Sequence, residues 1–215
     1  MTWEEYYSVL RQLPSWLKKP VPFVAEALSF FKECGVRTIL DLGCGMGRNS
    51  IYLATEGFHV IGIDTSTSAL KHAKTWSKTK GLTNMIVLRA SMTKLQFVSQ
   101  TFDAVVSVSV IHHATIADIK KTIEEIHTVL KENGLFLANL LSTKDYRYRQ
   151  GEKLEDGTFR ILEDFGKKQF EEIHHFFSQS EIRTLLASFK RISLERIQSG
   201  KKERLHTYWK VTASK

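Results

Sequence analysis

The stretch Asp41-Leu42-Gly43-Cys44-Gly45-Met46-Gly47 constrains this chain more than any other. It follows an apolar run, Thr38-Ile39-Leu40, that reads as a buried strand, and it precedes a helical pattern from Arg48 to Gly57. A strand, a glycine-rich turn and a helix form the first half of a nucleotide-binding crossover. Glycines let the backbone turn tightly and let a ligand lie directly against it. A carboxylate in that turn would repel a pyrophosphate. Asp41 therefore selects a ligand with a positive charge and no phosphate at this point. A second acid, Asp64, closes the next strand pattern, Val60-Ile61-Gly62-Ile63. An acid about 20 residues beyond a glycine loop is placed to accept hydrogen bonds from ribose hydroxyls.

The rest of the chain alternates in the same way. Pro14, Pro20 and Pro22 break the amino-terminal segment into a short helix and a helix over about 21–34, ended by Gly35. Strands are expected at 38–42, 60–64, 85–88, 102–110 and 135–141, with helices at 48–57, 66–80 and 116–131. Ser66 can cap the second of these helices. Ile119, Ile123, Ile126 and Leu130 form an apolar stripe on the third. Alternating strands and helices imply a parallel sheet covered on both faces. From Ser142 to Glu172 the sequence is polar, charged and aromatic without a clear period. Loops of that length are usually functional or disordered, and this one comes after a strand, on the side where open parallel sheets bind ligands. It reads as a substrate lid, with room for a short hairpin. A helix at 180–188 and two strands, 192–197 and 207–212 around a turn at Ser199-Gly200, complete the chain.

Two acids, a glycine loop and no phosphate cradle together describe an S-adenosylmethionine site. Asp41 to Gly47 resembles motif I of the class I S-adenosylmethionine-dependent methyltransferases, and Val60 to Asp64 resembles their second motif. Thr101 to Val106 resembles their fourth strand, and Ser109-Val110-Ile111-His112-His113 resembles the segment after that strand. Leu130 to Leu137 resembles the turn into their fifth strand. The resemblance implies a single α/β domain over 1–215. Its core is a Rossmann-like, seven-stranded, mostly parallel sheet with helices on both faces and its last strand antiparallel. Residues 1–34 would be a helical cap and 142–175 a substrate-lid insertion.

The expected cofactor contacts are Asp41, Gly43, Cys44, Gly45, Asp64, Thr65, Ser91, Met92, Val108 and His113. Asp41 would hold the cofactor's ammonium, directly or through water, or orient the loop. Asp64 would bind the ribose, or else cap the helix beyond it. Ser91 stands where the family often has an acid that reads adenine, and a hydroxyl can accept that bond without charge. Met92 would lie on the purine or fill the core. Val108 and Ser109 pass the methionine part. His113 and His175 are the candidate catalytic bases; the competing reading has His113 and its neighbour His112 packing structurally beside the cofactor pocket. One of His174 and His175 is expected to face the substrate. Trp3, Tyr6 and Tyr7 would fold over the cofactor as a lid or simply pack on the body.

Methyl transfer from a sulfonium needs chiefly alignment and exclusion of water. A small-molecule acceptor is the first expectation. An RNA acceptor is the second, since the chain carries a formal net charge of +8 and phosphates attract such a surface. Tyr146-Arg147-Tyr148-Arg149 is the only basic and aromatic cluster that suggests it. A protein that binds the cofactor without catalysis is a third reading, because fold alone does not establish function. No metal site is expected, since no Cys-x-x-Cys or similar spacing occurs. Cys34 and Cys44 read as free, mostly buried thiols. No apolar run approaches the ~18 residues of a membrane span, and the acidic start lacks a signal pattern. The expectation is a cytoplasmic monomer or homodimer.

Overall fold

The computed structural model describes residues 2–9, 18–165, 168–201 and 204–215. Its helices are α1 (Trp3–Val9), α2 (Pro22–Glu26), α3 (Leu28–Glu33), α4 (Arg48–Thr55), α5 (Thr67–Thr79), α6 (Ile116–Val129) and α7 (Gln179–Leu185). Five strands are parallel neighbours: β1 (Thr38–Leu42), β2 (His59–Asp64), β3 (Met85–Arg89), β4 (Phe102–Val108) and β5 (Leu130–Leu141). A smaller antiparallel sheet contains β6 (Glu152–Glu155), β7 (Thr158–Phe165) and β8 (Lys168–His175). The chain closes with β9 (Lys190–Lys201) and β10 (Arg204–Ser214).

The main sheet has seven strands in the order β3-β2-β1-β4-β5-β10-β9. β10 pairs antiparallel with both β5 and β9, so the last strand is the one that runs against the others. Strand side chains alternate between faces, and that alternation divides the core. Leu40, Val105 and Phe136 pack with α6 and the Ile182–Phe189 region. Ile39, Ala104 and Val106 pack on the opposite side with Phe23, Phe31, Ile51 and Ala73. Both faces of the sheet are covered, as the sequence pattern requires.

Several boundaries differ from expectation. The helix over 21–34 divides at Ala27 into α2 and α3, and the break at Pro14 lies outside the described residues. α6 stops at Val129, and β5 already begins at Leu130. Asn133, at φ 62°, takes up the irregularity between the Phe102–Leu130 pair and the regular ladder from Leu135. Ser199 and Gly200 do not turn; they pair with His206 and Leu205 inside the β9–β10 ladder. The aperiodic segment 142–172 forms most of the second sheet. That sheet is tied to the first by His175 N–H to the His112 carbonyl at 2.7 Å and Phe177 N–H to the Leu141 carbonyl at 2.7 Å. Both cysteines are free, but only Cys44 is buried; Cys34 is exposed.

Candidate active site

The carboxyl ends of β1, β2, β4 and β5 converge, the position where open α/β sheets bind ligands. The turn after β1 is backbone-built. Gly43 has φ 72°, Gly45 φ 52° and Gly47 φ 91°, a region that L side chains rarely occupy. A Cβ on Gly43 would lie 2.1 Å from Val110 Cγ2, so the turn also seats the segment after β4.

Asp41 is buried, and its Oδ2 accepts from Ser50 Oγ at 2.5 Å. Its Oδ1 is buried without a hydrogen-bond partner. Burial raises the Asp41 carboxyl to about 6, although the Ser50 bond opposes the shift. Asp64 accepts from Gly45 N–H at 2.8 Å through one oxygen and from Ser66 N–H at 2.8 Å through the other. It therefore locks the turn to the start of α5, whose cap is Ser66 Oγ accepting from Ala69 N–H at 3.1 Å. Burial raises the pKa of Asp64 too, against those backbone bonds. Cys44 is buried, and its N–H donates to the Ile63 carbonyl at 2.8 Å. Burial pushes its thiol well up, which leaves it protonated and inert.

Thr65 and Ser91 are exposed, and Met92 is half-buried against the core. Ser91 Oγ meets Thr93 Oγ1 at 2.9 Å. Val108 is buried at the end of β4. Next to it Ser109 takes φ 56°, an uncommon conformation for a residue with a Cβ. Asn139 on β5 holds it there: Asn139 Oδ1 accepts from Ser109 N–H at 2.7 Å, and Asn139 Nδ2 donates to Ser109 Oγ at 3.2 Å. Nothing in the local sequence marks Asn139; only the β4–β5 register brings it beside Ser109.

α1 lies over the turn. Glu4 accepts from Ser66 Oγ at 2.7 Å, Ser68 Oγ at 2.6 Å and Ser68 N–H at 3.1 Å. Tyr7 packs with Met46 and Ala69, its hydroxyl 2.9 Å from where a Gly45 Cβ would lie. Trp3 reaches further, 5.6 Å from His113 and 6.0 Å from Phe170 between ring centroids. The amino-terminal aromatics thus cover the turn and touch the cavity beside it.

That cavity has a volume of about 710 Å³, within the range of small-ligand sites. His112 and His113 line it from the end of β4, Tyr146 and Arg147 from beyond β5, Glu163 from β7, and Glu172 and His174 from β8. Residues 170, 172 and 174 share one strand face and 171, 173 and 175 the other. The parity decides between the paired histidines. His174 faces the cavity. His175 is fully buried behind it, with Nδ1 2.7 Å from Thr158 Oγ1 and Nε2 3.0 Å from Glu181 Oε1. Glu181 is thereby diverted from closing a capping box, and the Ser178 hydroxyl alone caps α7, accepting from Glu181 N–H at 3.2 Å.

Arg147 is buried and neutralised. Its Nε donates to Asp145 Oδ1 at 2.8 Å and its Nη1 to Glu163 Oε1 at 2.6 Å. Burial pushes Asp145 up, but the neighbouring His206 ring and the bonds from Arg147 outweigh it and hold the acid well below the usual range. Glu163 behaves alike, brought to about 2 by His174 and Arg147 against its burial. Glu172 differs: burial and the neighbouring Glu163 charge raise it to about 8. Burial and the other histidines lower His112 well below the ordinary imidazole range, and burial with His174 lowers His113 to about 3.

A glycine turn flanked by two acids at adjacent strand ends, on a seven-stranded sheet with its last strand reversed, defines the class I methyltransferase architecture. Residues 39–134 match the model of the methyltransferase domain family. A protein of Geobacillus sp. provisionally named a methyltransferase is 32% identical over 139 residues, 64% of this chain and 54% of its own length. The chain spans about half the length of the curated relatives it matches. Among solved structures, an S-adenosylmethionine-dependent methyltransferase of Methanosarcina mazei superposes with a TM-score of 0.75 at 22% identity, covering 92% of this chain and 98% of that one. A 1,6-didemethyltoxoflavin N1-methyltransferase of Burkholderia thailandensis, solved with bound 1,6-didemethyltoxoflavin and S-adenosylhomocysteine, gives a TM-score of 0.64 at 18% identity, covering 90% of this chain and 78% of that one. Among the described residues, no helix is long and apolar enough to cross a membrane.

Proposed function

We propose that this protein transfers a methyl group from S-adenosylmethionine to a small-molecule acceptor held in the histidine-lined cavity. The observation that carries the reading is the buried, unpartnered Asp41 Oδ1 beside a turn whose three glycines take left-handed φ. An acceptor atom left bare in the core costs about 1–3 kcal/mol, and a cationic amino-acid group supplies the missing donor. S-adenosylmethionine, when bound, supplies a methyl already activated by its positive sulfur. Asp41 would hold its ammonium, Asp64 its ribose, Ser91 and Met92 its adenine, and Gly43, Gly45, Val108 and His113 its methionine part.

The acceptor side is the cavity. Residues 142–175 form its outer wall, and α1 shuts out water. His113 is too weak a base to deprotonate an acceptor at neutral pH, so it and His174 orient the acceptor by hydrogen bonding while the fold aligns nucleophile and methyl. Two features support a small molecule over RNA: the cavity volume and the neutralisation of Arg147, the centre of the basic and aromatic cluster.

Calorimetric titration with S-adenosylmethionine and its demethylated product tests the cofactor assignment. Micromolar binding of both is expected, and Asp64→Ala should weaken it by about 1–3 kcal/mol. Absence of binding to the folded wild type would sink the reading; unchanged affinity in a folded variant would remove the ribose role. Labelled-methyl transfer to small acceptors or to RNA then decides the acceptor class. RNA affinity should collapse with salt if phosphates drive it.

A further inference from the structure

We propose that His112, His113, His174 and Glu172 form a binding site for a divalent transition-metal ion in the wall of the cavity. One ring nitrogen from each histidine lies within 4.8 Å of those of the other two. Their ring centroids are 4.4 Å apart for His112 and His113 and 4.9 Å for His113 and His174. Glu172 spans two of them, with Oε1 3.5 Å from His113 Nδ1 and Oε2 3.5 Å from His174 Nε2. Three imidazoles and one carboxylate are the donor set of zinc and its first-row neighbours.

The buried polar atoms point the same way. Among the described residues, eight buried side-chain nitrogen and oxygen atoms lack a hydrogen bond. Five of them belong to these four residues: His112 Nδ1, His113 Nδ1, both nitrogens of His174 and Glu172 Oε1. His112 and His174 are each only 2% exposed. Unbonded polar atoms so concentrated are unfavourable without an occupant, and Nδ1 is the His174 nitrogen left to ligate, since Nε2 lies against Glu163. A nitrogen 2.0–2.1 Å from a zinc ion is roughly 3.4 Å from its tetrahedral neighbours, so the rings must close in by about an ångström. The outer shell needed to hold them is present. Glu163 Oε1 lies 3.1 Å from His174 Nε2, and Arg147 anchors Glu163. A carboxylate behind a ligating histidine fixes its ring and raises its affinity. The ion would keep an open position toward the cavity, where an anionic oxygen or sulfur of a cavity ligand can bind, and His113 and His174 would then hold the acceptor through the ion in place of direct hydrogen bonds.

Sequence spacing hides this site because the ligands come from the turn after β4 and from alternate positions of β8. The proposal does not depend on methyl transfer, since metal uptake is read without cofactor or acceptor. The test uses the purified full chain, stripped with chelator and titrated with Co²⁺ while its visible d–d absorption is monitored, then with Zn²⁺ in competition. One equivalent of Co²⁺ should bind at micromolar concentration or tighter with the intense bands of a low-coordinate nitrogen-ligated ion, and Zn²⁺ should displace it. His174→Ala and His113→Ala should each weaken binding at least tenfold, and His72→Ala on α5 should not. If a variant fails to fold by circular dichroism, the wild-type stoichiometry and spectrum still decide. Absence of stoichiometric uptake by folded wild type would overturn the proposal and leave water or an organic ligand to satisfy these nitrogens. Uptake unchanged in a folded His112→Ala/His174→Ala variant would overturn it equally, placing the ion elsewhere.

Discussion

The glycine turn and the histidine cavity lie at the same end of the same sheet, yet they are built from opposite materials. The turn is backbone. Its shape comes from three left-handed glycines, and its two acids are mostly committed, Asp64 to two N–H groups and Asp41 to Ser50. The cavity is side chain. Arg147, Glu163, Glu172 and four histidines line it, with Asp145 behind Arg147, and six of the eight unbonded buried polar atoms among the described residues lie in it once His206 Nδ1 is counted. Backbone geometry suits a ligand that a whole family shares, because almost any sequence can supply it. Side-chain chemistry suits the ligand that one member selects. The difference implies that lesions in the turn act through shape, and lesions in the cavity through charge.

The sharpest test of the charge half is Arg147→Met. The variant keeps volume but leaves Asp145 and Glu163 buried without their cation. Removing one partner of a buried pair typically costs about 3–5 kcal/mol, and denaturant unfolding should show a loss of that size. Both acids titrate below their ordinary values when folded, so their stabilising contribution is present above about pH 4.5 and is lost as pH falls through the folded values. The variant's deficit should therefore shrink in acid. A deficit independent of pH would mean that Arg147 contributes packing, not charge.

The matching test of the shape half is Gly43→Ala. A methyl there meets both the left-handed φ, roughly 1–2 kcal/mol, and the overlap with Val110, about 1–3 kcal/mol. Adding Val110→Ala should recover the overlap but not the backbone strain. If the double variant regains everything, the glycine is needed only for space and the turn is less special than its φ values imply.

These halves are not equally legible in the sequence. Asp41, Asp64 and the glycines stand in one local pattern, and the hydrophobic periods of β1 to β5 announce a covered parallel sheet. The second sheet is hidden because its inward face carries Phe170, Glu172 and His174. Alternation of an apolar face with a polar one is the signal of a half-buried strand, and here the buried face is itself polar. The same parity separates His174 from His175, which no reading of the adjacent pair alone can do. Asn139 escapes a local reading because its role exists only across a strand pair.

Asp41→Asn sharpens the comparison from within the turn, since it changes charge where shape should dominate. The carboxyl titrates near 6 when folded against about 4 in an unfolded chain. The folded state binds the proton more tightly, so stability is fully present below about pH 4 and is lost as pH rises through 6. Removing the charge should raise stability at pH 8 by up to about 3 kcal/mol and change little at pH 4. Thermal melts at both values, with and without S-adenosylmethionine, check this. The variant should be more stable alone yet gain less from the cofactor, as expected where function retains a strained charge. Equal gains from the cofactor in both proteins would mean that Asp41 serves the loop and not the ligand.

The smallest effect is expected at the seam between the halves, where α1 covers the turn with Tyr7 and reaches the cavity with Trp3. Glu4 fastens it to α5. Hydrogen bonds from Ser68 and Ser66 bring its carboxyl to about 2, but it is fully exposed. The clamp is therefore present above about pH 4.5 and weakens as pH falls toward 2. Glu4→Gln keeps the shape and removes the charge. Its melting temperature should match the wild type, because α1 is short and buries only Tyr6. Local opening is a separate quantity from global unfolding, so amide exchange within 3–9 should accelerate while exchange in β1 and β4 is unchanged. If α1 is the cover that both halves share, dissociation of S-adenosylmethionine should quicken by a few-fold in the same variant. Faster exchange with unchanged dissociation would show that the helix opens without governing the site, and the turn and the cavity would then be two sites that share only a sheet.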